Sequence, residues 1–207
     1  MKKEDLIKKF NKEALKHTKQ RENLRDKKWR EKIFSNVRGR TLEIAVGAGM
    51  NFAFYPKSID YTGVDFSPRM LEEAKEAAKE QHIKSSFVLS DVESLDFEEN
   101  TFDSIVSSGS LCVYDNPLYV LNQMNKWCQK DGGILLYEHG LFANQALAWF
   151  QKRLNRWHLK KYGCHFDRNI LEIVKKSDLD ITRCERAMGG YLYLIWAKPG
   201  KHTRGKL

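Results

Sequence analysis

Two closely spaced glycines and a carboxylate in the next segment could together hold a nucleoside. Gly47 and Gly49 follow an apolar run that predicts a β-strand, and glycine lets the backbone approach a ligand where any Cβ would collide. A second predicted strand, Tyr61 to Val64, ends at Asp65, whose carboxylate could accept hydrogen bonds from both hydroxyls of a ribose. A dinucleotide fingerprint would have a third glycine where this chain has Phe52. Pyrophosphate binding is therefore disfavoured.

A second carboxylate, Glu43, lies on the first predicted strand itself. Its charge at the ligand end would repel a pyrophosphate and would suit a cationic amino acid group. A nicotinamide-dependent oxidoreductase is further disfavoured because the chain has no Tyr-x-x-x-Lys pair, and Tyr55-Pro56-Lys57 does not supply one. The pattern thus indicates a nucleoside that carries a positive charge.

The block Glu43-x-Ala45-x-Gly47-x-Gly49 resembles the first motif, Asp/Glu-x-Gly-x-Gly-x-Gly, of class I S-adenosylmethionine-dependent methyltransferases of the type 11-like group. Ala45 replaces the first glycine. The resemblance continues in order through Tyr61–Leu71, Ser90–Phe97 and Phe102–Val106, and it covers about residues 40 to 140. It implies S-adenosyl-L-methionine as cofactor. The cofactor-binding residues that it implies are Glu43, Ala45, Gly47, Gly49, Asn51, Asp65, Phe66, Met70, Asp91, Val92, Ser107 and Ser108.

Strands and helices alternate along the chain, which predicts an α/β fold with a parallel sheet covered by helices on both faces. The last two predicted strands, Ile181 to Glu185 and Tyr191 to Ala197, are separated by the short Met188-Gly189-Gly190 turn. This connection is too short for a crossover helix, so the two strands must pair antiparallel. The resemblance implies the same arrangement, a Rossmann-like seven-stranded sheet that is mostly parallel with one antiparallel strand.

Local signals predict further elements in the second half. Asn116-Pro117 is typical of a helix start, and the Asp131-Gly132-Gly133 turn should close that helix before a strand from Ile134 to Tyr137. A long helical segment, about 142 to 161, contains five basic residues and no acidic one. Another helix should begin near Arg168.

Residues 1–40 form a basic arm before the predicted methyltransferase domain, 41–199, and a short basic tail, 200–207. The arm has 15 Lys or Arg against 6 Asp or Glu, so it carries the whole net charge of +9. Apolar residues recur every four positions, which predicts two helices joined by the polar segment Lys16–Asn23. The arm could be a lid over the substrate cleft, or it could contact an anionic membrane surface or nucleic acid.

Catalytic candidates follow the strand that ends at Tyr137. Methyl transfer from a sulfonium needs mainly alignment and exclusion of water, but a base is useful where the acceptor carries a proton. His139 is the candidate base, Glu138 could orient it or act beside it, and Tyr114 is a further candidate.

The methyl acceptor is predicted to be a small molecule or a lipid. Residues after Tyr137 show a looser resemblance to thiol S-methyltransferase-like and phosphatidylethanolamine N-methyltransferase-like enzymes. An RNA methyltransferase is an alternative, although the Asn/Asp-Pro-Pro-Tyr/Phe motif of base-methylating enzymes is replaced by Ser107–Tyr114. A non-catalytic nucleoside-binding protein is a second alternative, but the cofactor block is intact apart from Ala45.

The four cysteines, at 112, 128, 164 and 184, have no C-x-x-C spacing. We therefore expect reduced thiols and no metal site. The chain has neither a signal peptide pattern at its start nor an apolar run long enough to span a bilayer, which predicts a cytoplasmic protein.

Overall fold

Seven strands form one sheet in the computed structural model, which describes residues 2–200. The strands are Arg40–Ile44 (β1), Asp60–Asp65 (β2), Lys84–Leu89 (β3), Phe102–Ser108 (β4), Cys128–His139 (β5), Leu179–Ala187 (β6) and Leu192–Pro199 (β7). Their order is β3-β2-β1-β4-β5-β7-β6. Strand β7 pairs antiparallel with both β5 and β6, whereas the other pairings are parallel. The predicted Rossmann-like sheet with one reversed strand is confirmed.

Six α-helices accompany the sheet over the described residues. They are Lys3–Glu22 (α1), Lys27–Phe34 (α2), Pro68–Glu80 (α3), Pro117–Trp127 (α4), Gln145–Tyr162 (α5) and Ile170–Lys176 (α6). Side-chain caps start several of them, as at Ser67, whose Oγ accepts from the Met70 N–H, and at Asn116, whose amide oxygen accepts from the Tyr119 N–H. Both Ser67 and Asn116 are followed by proline in the first turn, the position that proline favours.

The core has two halves, one on each face of the sheet. On one face α4 and α6 bury Trp127 and Val174 against β4 and β5. On the other face α2 and α3 bury Phe34 and Leu71. Because Phe34 is fully buried, α2 is part of the core, although it lies within the predicted arm.

Helix α1 lies across α3 and the loop after β1. Ala14 packs against Ala48 and Met70, Thr18 donates to the Glu73 carboxylate at 2.7 Å, and the Arg21 guanidinium donates to the Ala48 carbonyl at 3.0 Å. These contacts explain why the segment predicted to be a polar connection is helical up to Glu22. The break between α1 and α2 falls at residues 23–26 instead.

Two other boundaries differ from the prediction. Helix α4 ends at Trp127, and Asp131-Gly132-Gly133 lies inside β5, where the register against β4 shifts after Phe102. This register shift lies within one strand and leaves the same glycine signal in the sequence as a turn. Helix α6 begins at Ile170, because the Asn169 side chain caps it. Of the predicted tail, only Gly200 lies within the described residues.

No helix between residues 2 and 200 combines the length and the apolar character that a membrane crossing requires.

Candidate functional site

A cavity of about 270 Å³ opens at the carboxyl ends of β1, β2, β4 and β5. Ligands of open α/β sheets bind at this edge, where the strand order reverses between β1 and β4. Eight of the residues predicted to bind the cofactor line the cavity, as does the predicted base. They are Glu43, Ala45, Gly47, Asn51, Asp65, Phe66, Met70, Ser108 and His139.

The two glycines of the first loop have different environments. Gly47 lines the cavity with φ of +55°, and a Cβ on it would meet no protein atom within 4 Å. Gly49 has φ of +76°, but a Cβ there would lie 2.6 Å from the Phe52 ring. Gly47 therefore leaves room for a ligand, whereas Gly49 leaves room for Phe52, the residue at the missing third glycine. Gly49 itself does not line the cavity.

The Asp65 side chain is held in place by backbone N–H groups of the loops that follow β1 and β2. Its carboxylate accepts from the Gly47 N–H at 2.8 Å and from the Ser67 N–H at 2.8 Å. Burial raises the pKa of Asp65 to about 6, although these backbone hydrogen bonds oppose the rise. The remaining lone pairs can accept hydrogen bonds from a vicinal diol.

Glu43 is buried and accepts three side-chain hydrogen bonds. Asn51 donates at 2.6 Å, Tyr55 at 2.9 Å and Tyr61 at 2.6 Å. Burial raises the pKa of Glu43 to about 7, and the three hydrogen bonds and Arg30 act against this rise. A cationic group bound in the cavity would stabilise the ionised form.

Arg30 of α2 completes this network, and the sequence analysis missed it. Its guanidinium donates to the Asn51 amide oxygen at 2.5 Å and to Ser108 Oγ at 3.3 Å, and it pairs with Asp26 at 3.0 Å. Among the many basic residues of the arm, no local pattern marks Arg30. Arg30 differs from the other basic residues of the arm in its position beside the buried Glu43.

Helix α1 contributes the outer wall of the cavity. Phe10 and His17 line it, and Phe10 meets Phe66 edge to face with 5.4 Å between ring centroids. Burial lowers the pKa of His17, opposed by the nearby Glu13. The predicted arm therefore covers the cavity in this structure.

Besides Gly49, three predicted cofactor residues lie outside the cavity lining. Asp91 pairs with Lys3 of α1 and borders a smaller neighbouring cavity with Phe66. Val92 is buried in the core. Ser107 is buried and donates to the Glu138 carboxylate at 2.5 Å. The lining instead includes Ser108, the next residue of β4.

Glu138 and His139 have different positions although they are adjacent. Glu138 is fully buried, does not line the cavity and accepts from the backbone N–H groups of Ser110 at 3.3 Å and Leu111 at 3.2 Å. Burial raises its pKa. This geometry favours a positioning role for Glu138 over the predicted catalytic one. His139 lines the cavity and stacks on Tyr191, with 5.3 Å between ring centroids.

The outer nitrogen of His139 faces a cysteine. Its Nε2 lies 4.0 Å from Cys164 Sγ, and its Nδ1 is buried without a hydrogen-bond partner among the described residues. The Cys112 thiol and His139 both lower the pKa of the Cys164 thiol below its usual range. Tyr114 also lines the cavity, but burial raises the pKa of its phenol well above the usual value, which makes it a poor base.

The cavity fits S-adenosylmethionine in three respects. The open space over Gly47 admits a ligand close to the backbone, Asp65 can accept from ribose hydroxyls, and Glu43 can offset a positive charge. The fold and the cavity thus define a Rossmann-like domain that binds a cationic nucleoside.

Comparisons with known proteins agree with a domain that binds S-adenosylmethionine. A family profile described as a methyltransferase domain, Methyltransf_11, matches residues 42–136. The chain is 31% identical over 146 residues to phosphatidylethanolamine N-methyltransferase of Cereibacter sphaeroides, over 70% of this chain and 71% of that protein. It is 26% identical over 170 residues to thiol S-methyltransferase TMT1B of Rattus norvegicus, over 80% of this chain and 68% of that protein.

Among solved structures, the methyltransferase in complex with the Haloferax volcanii Trm112 methyltransferase activator has the same fold. Its TM-score is 0.71 at 12% sequence identity, and the match covers 93% of this chain and 98% of that chain. The chain belongs to the class I S-adenosylmethionine-dependent methyltransferases, and its cofactor is S-adenosyl-L-methionine.

The Asp65→Ala substitution should weaken binding of S-adenosylmethionine and S-adenosylhomocysteine by about 2 to 4 kcal/mol, because it removes the charge-assisted acceptor for the ribose. In the native protein, affinity should fall as the pH is lowered through about 6, since a protonated Asp65 cannot accept both hydrogen bonds. Calorimetry at a series of pH values measures both effects. Asp60→Ala, at the exposed start of the same strand, is the control. Equal affinity of Asp65→Ala and the control would contradict the assignment.

Gly47→Val should abolish cofactor binding while the protein still folds, because the branched side chain fills open space in the cavity. The positive φ should cost about 1 to 2 kcal/mol of stability. Gly49→Val should lower the free energy of unfolding more, since its Cβ meets Phe52 and Ala77 at under 3 Å. Denaturant unfolding and calorimetry on both variants test this contrast. Normal cofactor binding by Gly47→Val would show that the cofactor does not approach the backbone at Gly47.

Proposed function

We propose that this protein transfers a methyl group from S-adenosylmethionine to a small-molecule or lipid acceptor. The observation that carries this proposal is the continuity of the cavity. It extends from the nucleoside cradle at Gly47 and Asp65 to a second group of lining residues at the ends of β4 and β5, and α1 covers it. The second group contains Ser110, Val113, Tyr114 and His139.

The cofactor supplies a methyl group on an already positive sulfur, so the protein needs mainly to align the acceptor and exclude water. Asp65 and the Glu43 network hold the two polar ends of the cofactor, and Phe10 shields the cavity from solvent. His139 borders the acceptor side and is the proposed base for an amine acceptor that carries a proton. Glu138 acts as a positioning residue, because it fixes the loop that begins at Ser110.

The N-terminal arm is proposed to be a lid. Phe10, His17 and Arg30 all line the cavity, which supports this interpretation over a free nucleic-acid-binding arm. The position of α1 over the cavity also disfavours an RNA substrate. A nucleotide base within an RNA chain would have to displace α1 to reach His139. The complete cradle disfavours a non-catalytic nucleoside-binding role.

Two acceptor classes are supported by the relatives and by separate features of this chain. One curated relative is a thiol S-methyltransferase, and the acceptor side of this cavity meets two cysteines at His139. Another relative is a phosphatidylethanolamine N-methyltransferase, and α5 of this chain has a surface suited to lipid. A thiol is the first candidate and a phospholipid amine is the second.

The surface of α5 carries an exposed apolar stripe beside a basic flank. The stripe consists of Leu147, Phe150, Leu154 and Trp157, three or four residues apart and each about half exposed. The flank consists of Arg153, Arg156 and Lys160, and the helix has no acidic residue. At one edge of the stripe Gln151 is buried, and its amide donates to the Gly140 and Phe166 carbonyls, which fixes the rotation of the helix with the stripe exposed.

An apolar stripe with aromatic side chains and positive charge fits the interface of an anionic bilayer. The proposed membrane contact thus lies on α5 instead of the arm, where Leu15 is the only large hydrophobic residue of α1 that is well exposed. Such a surface would bring the cavity close to a lipid acceptor.

Methyl transfer from labelled cofactor to small thiols, amines, phospholipids and RNA tests the proposed function. We expect labelled thiol or labelled phospholipid, with RNA unlabelled, and we expect Asp65→Ala to lose transfer in proportion to its lost cofactor affinity. Transfer to RNA alone would support the alternative acceptor. Tight cofactor binding with no labelled product in any class would support a non-catalytic protein.

Vesicle sedimentation tests the lipid-facing surface of α5. The protein should bind vesicles that contain phosphatidylglycerol and phosphatidylcholine, bind pure phosphatidylcholine more weakly, and lose binding as salt rises. Trp157→Glu should lower the bound fraction at least about ten-fold, because a charge replaces an inserted ring. Leu15→Glu on α1 is the matched control. Equal losses from both substitutions would disprove a specific contact through α5.

A further inference from the structure

Three metal-ligating side chains from separate segments meet at His139, which lines the acceptor side of the cavity. Cys112 follows β4, His139 ends β5, and Cys164 follows α5. One ligand atom from each lies within 4.8 Å of the other two. Cys112 is buried, and His139 and Cys164 are half-buried. This cluster, Cys112–His139–Cys164, is not part of the nucleoside cradle.

The backbone around the cluster is tied down by hydrogen bonds. The His165 N–H donates to the Cys112 carbonyl at 2.9 Å, which joins the two cysteine loops. The Arg168 guanidinium donates to the carbonyls of Leu111 and Tyr114, the second at 2.8 Å. Glu138 accepts from the N–H of Leu111 at 3.2 Å. The positions of the two sulfurs are therefore set by the fold.

We propose that the Cys112–His139–Cys164 cluster binds a zinc ion through two thiolates and one imidazole, with the fourth position open toward the cavity. Zinc prefers sulfur and nitrogen ligands in a tetrahedron, and three protein ligands with one open position are typical of sites that act on a substrate. Zinc–sulfur bonds of about 2.3 Å place two sulfur ligands roughly 3.8 Å apart. The ligand atoms need to move by only about 1 Å to reach this geometry.

The open position faces the proposed acceptor side, because His139 itself lines the cavity. We infer that its ligand is the acceptor thiol, an inference that rests on the proposed function. A coordinated thiol loses its proton, here to water, and the sulfur becomes a nucleophile at neutral pH. Its electron pair forms the new bond to the methyl carbon, while the bond from that carbon to the sulfonium sulfur breaks and its pair returns to that sulfur. The thioether product is neutral and a weaker ligand, which favours its release.

This proposal departs from the sequence-based expectation of no metal site. The expectation followed from the absence of closely spaced cysteines. The three ligands instead come together only through the pairing of β4 with β5 and the return of the chain after α5. His139 would then be a ligand rather than the predicted base.

Metal binding by the reduced, full-length protein tests the site directly. We expect one zinc ion per chain after incubation with zinc and gel filtration, measured by elemental analysis. Cobalt should give the intense absorption of thiolate coordination. Cys112→Ser, Cys164→Ser and His139→Ala should each lower metal affinity by about 100-fold or more, since even loss of an outer-shell partner costs 10- to 100-fold. Cys184→Ser and Cys128→Ser are the matched controls and should retain the metal.

Alkylation of the unmodified protein gives a second test that needs no variant. Bound zinc should protect the half-buried Cys164 from iodoacetamide, while the exposed Cys184 reacts at the same rate with and without zinc. Absence of metal uptake, equal binding by all the variants, or a Cys112–Cys164 disulfide with no uptake after reduction would overturn the proposal.

Cofactor affinity and thiol methylation measured on the same samples separate the two proposals. Zinc uptake without thiol transfer would overturn the acceptor role and leave the metal site. Thiol transfer that survives complete chelation, in protein that takes up no zinc, would overturn the metal site and leave the proposed function.

Discussion

The burial of Glu43 in the middle of the sheet is the constraint on which the cavity depends. Removing a carboxylate from water costs several kcal/mol unless hydrogen bonds and charges compensate. Here Asn51, Tyr55 and Tyr61 each donate to it, and they come from the loop after β1, the turn that follows, and β2. A single polar group thus fixes three segments relative to one another. Within this network the pKa of Glu43 is about 7, and a bound cation would lower that pKa.

This constraint also explains why the second helix of the basic arm belongs to the core. Arg30 is the nearest positive charge to the Glu43 network, and it reaches Asn51 only because Phe34, one turn further on, is buried against the sheet. The apolar periodicity of residues 29–37 therefore also places the positive charge of Arg30 beside the Glu43 network. Helix α1 is attached more lightly, through Ala14, Thr18 and Arg21, and such an element can open without disrupting the core.

The sequence was sufficient to predict the sheet, its reversed strand and most of the residues that meet at the cavity around Gly47 and Asp65, because those features have short-range patterns. Gly47, Asp65 and the capped start of α3 each leave a local signal in spacing and residue type. Arg30, Phe10 and the Cys112–His139–Cys164 cluster leave none, since their positions depend on contacts between distant segments. Gly49 has the same spacing signal as Gly47, but it lies against Phe52 and does not line the cavity. A glycine that makes room for an aromatic ring and one that makes room for a ligand have the same sequence pattern.

Glu138 on β5 has the same kind of role as Glu43 on β1. Each is a buried carboxyl group that orders the residues on one side of the cavity. Both are carboxyl groups fully enclosed on central strands. Glu43 accepts a hydrogen bond from the loop after its own strand, and Glu138 accepts one from the loop after the neighbouring β4. Glu43 orders the cofactor side through Asn51, and Glu138 orders the acceptor side through Leu111. Because the electrophile is already activated, placement of the acceptor is the main task left to the protein. An acidic residue within an otherwise apolar strand is therefore a sequence signal for a loop that must be held in place, since its desolvation must be offset by nearby donors.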